Sequence, residues 1–190
     1  MSTDLHAQER ARAYFASKSN LSPTEVREQI VAAFDALDAV LASVPSGRAT
    51  RRPGPGQWSA QEVVDHLVET YRPGVDELRC VLAGQRPPGP PIPAALQSKA
   101  PLLRPWPWLL DELRRAHRDV LELIAAVPAD FATAARVPLV MVVNVTDDDG
   151  TVRPLHWVEE IDWKAYAIAS WRLHAVDHMK QVKKVQAAVA

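Results

Sequence analysis

A single cysteine, Cys80, stands in 190 residues, so no intrachain disulfide can form. Cys80 follows the charged run Asp76-Glu77-Leu78-Arg79 with no base beside it, and an ordinary helix residue is expected there. Charge of either sign is not in excess, since 22 Lys and Arg against 23 Asp and Glu leave a formal net charge of -1. The basic surplus that marks nucleic-acid binders is missing, and nucleic acid is therefore not an expected partner. No apolar run approaches the roughly 20 residues that span a bilayer. The N-terminal stretch Met1 to Arg10 also lacks the apolar core of a signal peptide. A cytoplasmic protein without a membrane partner is the expectation. Glycine is scarce, at 7 residues, and no nucleotide or flavin fingerprint occurs.

What is present is helical periodicity. The length suits one domain with its own core. Residues 1–21 read as an N-terminal arm, with a weak amphipathic pattern carrying Leu5, Tyr14 and Phe15 and a solvated His6, and residues 22–190 read as the domain. Its first helix starts at Ser22-Pro23-Thr24-Glu25, a serine cap with proline next and glutamate three after the cap. Val26, Ile30, Phe34, Leu37 and Leu41 give it a buried face. The next helix opens at Trp58-Ser59-Ala60-Gln61-Glu62-Val63, where Ser59 and Glu62 form a capping box and Trp58 and Val63 are placed for a hydrophobic staple. His66 lies on its apolar flank, and Pro73 predicts a kink by removing the bond to the Glu69 carbonyl.

Prolines dominate from Gly84 to Pro107, which predicts a semi-rigid extended connection. A third helix is expected from Trp106 to Ala126, with Leu110, Leu113, His117, Val120, Leu121 and Ile124 inward. His117 reads more readily as a core histidine bonded to a neighbour than as a metal ligand. Pro138 to Thr146 and Thr151 to Trp157 predict a β-hairpin around the turn Asp147-Asp148-Asp149-Gly150, and His156 within it has no assigned role. The last helix is expected from Asp162 to Ala188.

That last helix carries the sharpest chemical signal. His174 and His178 are four apart, on the stripe formed by Ala167, Trp171, Val182, Val185 and Val189. Both imidazoles can reach one ion from such positions. An isolated pair of this kind is more often a hydrogen-bonded core pair. Four helices in a bundle, however, bring inward-facing His66 toward the pair, and three protein ligands leave a coordination position open. His-Ala-Val-Asp-His lacks the glutamate of the zinc-protease motif. Thr70, Gly74, Ala167 and Ser170 are small and leave room beside the histidines, or else permit close helix packing. No general base is evident, since Glu62 has its capping role and Asp177 points off the stripe.

Two stretches carry a family resemblance. Trp58-Ser59-Ala60-Gln61-Glu62-Val63-Val64-Asp65-His66-Leu67 resembles the Trp-Ser-x-x-Glu-x-x-x-His-Leu opening of the second helix in the DinB-like (DinB/YfiT) superfamily. His174-Ala175-Val176-Asp177-His178-Met179-Lys180-Gln181 resembles its His-x-x-x-His-x-x-Gln. The resemblance covers residues 22–188 and implies an all-α, up-up-down-down four-helix bundle. It also implies a divalent metal held by His66, His174 and His178. Members are similar to bacillithiol or mycothiol S-transferases and thiol-dependent isomerases. The expected protein is thus a metal-dependent transferase or hydrolase acting on a small-molecule substrate. Zinc or nickel come first as its metal, then iron, with a low-molecular-weight thiol as co-substrate. The competing expectation is a metal-stabilised binding or dimerisation module without turnover. A homodimer is expected from the resemblance and from Trp106, Trp108 and Trp157 near helix ends, although these can equally lie in the core. The proline-rich connection, Pro73 and the acidic hairpin depart from the minimal pattern and bear on the substrate.

Overall fold

The computed structural model describes residues 3–189. Its element order is α1 (Thr3–Lys18), α2 (Pro23–Ala42), α3 (Ala60–Leu82), α4 (Trp106–Ala125), β1 (Val137–Thr146), β2 (Val152–Ile161), α5 (Trp163–Ala167) and α6 (His174–Ala188). A π-helical segment, Ile168–Leu173, joins α5 to α6, so one continuous helix makes the fourth rod of the bundle. Helix α2 packs against α4 and α6, and α3 packs against the same two. The successive helices α2 and α3 therefore stand at opposite corners, and all four close on a single apolar core.

Local chemistry sets the helix starts. Ser22 accepts from the Glu25 amide while Glu25 takes the Ser22 N–H at 2.7 Å. Ser59 and Glu62 repeat the arrangement, with the Ser59 N–H donating to Glu62 at 2.9 Å. Asp162 caps α5 by accepting from the Lys164 and Ala165 amides. Helix α3 continues through Pro73 to Leu82. On α4 the inward phase is carried by Leu109, fully buried, and not by the expected Leu110, which is only partly covered. Burying a leucine-sized side chain contributes about 1.5–3 kcal/mol, so the fully covered Leu109 anchors that turn.

The hairpin is longer than its sequence suggests, because β2 runs on to Ile161, paired in register with Val137. Gly150, at φ 83°, takes the left-handed turn position that glycine adopts without steric cost. The Thr151 amide donates to Asp149 at 2.8 Å, so the acidic triplet is turn chemistry. Helix α1 packs on β1 and α5 with Ala7 and Phe15 buried. Two ion pairs, Arg12 with Glu159 at 2.8 Å and Arg153 with Asp4 at 2.6 Å, tie it to the hairpin. Among the described residues no helix is long and apolar enough to cross a membrane.

The tryptophans divide. Trp106 is buried in the core, while the Trp157 indole donates to Glu159 at 3.0 Å. Trp108 alone of the three remains exposed, at 38%, with the guanidinium groups of Arg72 and Arg104 over its ring. Of the two placements open to these tryptophans, Trp106 takes the core, Trp108 the surface, and Trp157 is half-buried.

Candidate metal centre

Helix α3 presents His66 one turn after its capping box, with the Trp58 ring 5.2 Å away between centroids. His174 is the first residue of α6, and His178 follows one turn later. The π-helical segment before His174 inserts a wider turn into the helix, a feature that recurs at functional sites. One nitrogen from each of His66, His174 and His178 lies within 4.8 Å of the others, the only such cluster of three His, Cys, Asp or Glu among the described residues. The expected triad is therefore brought together.

The remaining ring nitrogens are committed. His66 Nδ1–H donates to the Leu96 carbonyl at 2.7 Å, and His178 Nδ1–H donates to Gln181 Oε1 at 2.7 Å. His174 donates to the Ser170 backbone carbonyl. An acceptor on one ring nitrogen fixes the tautomer and leaves the other with a lone pair. His66 Nε2 and His174 Nε2 nevertheless stand 2.9 Å apart. Two lone pairs at that separation repel unless a cation lies against both. Desolvation, the largest cause in each case, holds all three imidazoles below their ordinary pKa, with His178 pushed down to about 4. His66 is fully buried, whereas His174 and His178 keep some surface, and their packing is still deep enough for burial to dominate. Neutral imidazoles with converging lone pairs are the donor set that a divalent transition metal requires. The cluster fits such an ion.

A cavity of about 1040 Å³ opens beside the histidines. Thr70, Gly74 and Ser170 line it as expected, whereas Ala167 is fully buried in the core and does not. Two features absent from a minimal bundle supply its other walls. The proline-rich connection contributes Ile92 and Pro93, and the hairpin contributes Val142, Asn144, Pro154 and His156. Val142 is register partner to His156, and Asn144 to Pro154, so these four lining residues share one face of the ribbon. The period-two alternation of the hairpin was the signal that could have placed His156 there. Asp177 lines the cavity too, but it is exposed and pairs with Lys180 at 3.6 Å.

Two residues considered for other roles are spoken for. Glu62 is gripped by Arg52 and Ser59, and these bonds, set against its burial, leave its pKa lowered. His117 lies outside the cluster, stacked on Phe34 with centroids 3.6 Å apart. Its Nδ1 is 4.0 Å from Asp38, and Nε2 has no hydrogen-bond partner among the described residues. Burial pushes its pKa down to about 3.

Fold and site together define a four-helix bundle protein with a three-histidine cluster at the wall of a ligand-sized cavity. A sequence profile described as the DinB superfamily matches residues 29–182, and the chain belongs to that superfamily. No curated protein matches it. Among solved structures it is similar to TT2238, a four-helix bundle protein, at 19% identity and TM-score 0.55 over 86% of this chain and 99% of that one. It is also similar to the colibactin self-resistance protein ClbS in complex with a dsDNA, at 13% identity and TM-score 0.62 over 89% and 98%. A third likeness is to an uncharacterised protein from Escherichia coli UTI89, at 13% identity and TM-score 0.58 over 89% and 96%. At such identities the likeness carries the fold alone. ClbS nonetheless corrects the exclusion of nucleic acid drawn from charge balance, because a protein of this fold is seen in complex with dsDNA. Net charge is summed over a whole surface, whereas nucleic-acid contact depends on how charge is distributed.

Proposed function

We propose that this chain is a metal-dependent enzyme of the cytoplasm, in which His66, His174 and His178 hold one divalent transition metal ion. Zinc or nickel is favoured, then iron. The single observation that carries the reading is the 2.9 Å approach of His66 Nε2 to His174 Nε2 when both other ring nitrogens are already bonded. A bound ion of this kind supplies Lewis acidity and activates water or a thiol near neutral pH. Leu96, Ser170 and Gln181 hold the three rings in orientation. Thr70, Gly74 and Ser170 keep space beside them, and Tyr166, whose hydroxyl donates to Glu77, stands on the same cavity wall. The reaction is transfer of a low-molecular-weight thiol, or hydrolysis, on a small molecule held in the cavity. The cavity supports turnover over the alternative of a metal-stabilised module.

Incubation of zinc-loaded protein with a low-molecular-weight thiol and monochlorobimane tests the reaction. Faster conjugation than with His174→Ala or metal-free protein is expected. Equal rates in all three remove thiol transfer, and equal rates on a panel of esters and amides remove hydrolysis. A homodimer belongs to the same reading, supported by the exposed Leu102, Leu103 and Trp108 about the start of α4. Light scattering that gives a particle of about 21 kDa at micromolar concentration overturns it.

A further inference from the structure

We propose that Asp65 is a positioning residue for His66, acting through the proline-rich connection, an inference that rests on the three-histidine reading above. Asp65 is fully buried on α3 and is not among the residues lining the cavity. A buried carboxylate is tolerated only where donors come to it. Here the Ser98 amide donates to Oδ2 at 2.8 Å, the Ser98 hydroxyl to Oδ1 at 2.8 Å, and Arg104 Nη1 lies 3.2 Å from Oδ1. Leu96, whose carbonyl takes the His66 Nδ1 proton, is two residues before Ser98.

The same turn of α3 grips the connection at further points. Gln97 Nε2 donates to the Glu62 carbonyl at 3.0 Å, and Gln61 Nε2 donates to the Pro101 and Arg104 carbonyls at 3.1 and 2.9 Å. The connection is thus pinned along α3, with Leu96 aimed at His66. A carbonyl can only accept, so its placement makes His66 carry its proton on Nδ1 and turn the Nε2 lone pair toward His174. An imidazole without that acceptor populates both tautomers. One of them points an N–H, and not a lone pair, at the site. Asp65 therefore acts on His66 through Ser98 and Leu96, without touching the cavity.

The test uses the full chain. Side-chain ¹⁵N NMR of metal-free protein reads the His66 tautomer, and competition with a chromophoric chelator reads affinity for zinc ion. Wild type is expected to show His66 protonated on Nδ1. Asp65→Asn and Ser98→Ala should each mix the tautomers and weaken zinc binding about tenfold, while His178 keeps its tautomer. Ser98→Ala retains the Asp65 charge, so its effect separates positioning from electrostatics. It also decides alone if Asp65→Asn fails to fold. Wild-type tautomer and wild-type affinity in the decisive variants overturn the proposal, as does a tautomer shift that leaves zinc affinity unchanged. If wild type binds no zinc but the variants still release the tautomer, positioning stands and the metal reading falls.

Discussion

His66 Nε2 and His174 Nε2 stand 2.9 Å apart across the α3–α6 interface, each on a ring whose other nitrogen is already hydrogen-bonded. A neutral imidazole has one donor and one acceptor nitrogen, so the contact brings acceptor to acceptor. Helix phase sets this relationship, and the backbone carbonyls of Leu96 and Ser170 enforce it.

Metal-free protein should lose stability as the pH falls from about 6.5. His178 and His117 are held neutral by burial, with folded pKa values of about 4 and about 3 against an ordinary 6.5. Their folded pKa lies below the unfolded one, so the unfolded chain takes up protons first and unfolding becomes easier as acid is added. Each group contributes a slope of up to about 1.4 kcal/mol per pH unit inside its window. Urea denaturation at pH 7.5, 6 and 5 reads this, and a flat profile contradicts it.

His117→Phe should flatten part of that slope without destabilising the protein at pH 7. The ring stacks on Phe34 at 6° between planes, and its Nε2 is a buried polar atom with no partner among the described residues. Replacing such an atom by carbon removes an uncompensated desolvation cost of about 1–3 kcal/mol. Thermal melts at pH 7 and pH 5 check it. A loss above about 2 kcal/mol at pH 7 would show that Nε2 has a role.

Gly74→Ala should raise stability while narrowing the cavity. The new Cβ would meet the Tyr166 hydroxyl at 3.4 Å, Trp171 Cζ2 at 3.5 Å and Ile92 Cδ1 at 4.0 Å, which are ordinary contacts. Within a helix the exchange is worth about 0.5–1 kcal/mol. A lower melting temperature would mean that those neighbours cannot accept a methyl group.

Ser59→Ala should cost about 1 kcal/mol of stability, because the Glu62 amide loses its acceptor at the start of α3. Chemical denaturation measures the loss. An unchanged midpoint would mean that Arg52, which also holds Glu62, carries the cap without Ser59.

Much of this architecture was legible because it is written in local chemistry. Both capping boxes consist of residues three apart, and the histidine triad follows from helical phase on α3 and α6. What escaped depends on contacts distant in sequence. Any residue has a carbonyl, so nothing marks Leu96 as the partner of His66, 30 residues away. No residue type announces the π-helical turn before His174. On α4 the expected inward Leu113, His117, Val120 and Ile124 are buried, and only in the first turn does Leu109 replace Leu110, an adjacent leucine that tertiary contact alone separates from it. The proline-rich connection and the hairpin looked like additions to a bundle, yet they wall the cavity.

The most direct test of the central claim is the metal content of chain purified without a histidine tag, followed by zinc titration of metal-free protein. One equivalent per chain is predicted for wild type, and none for His174→Ala, which should keep its helical circular dichroism because the core does not depend on the ion. Absence of binding in wild type, or equal binding in the variant, would contradict the account.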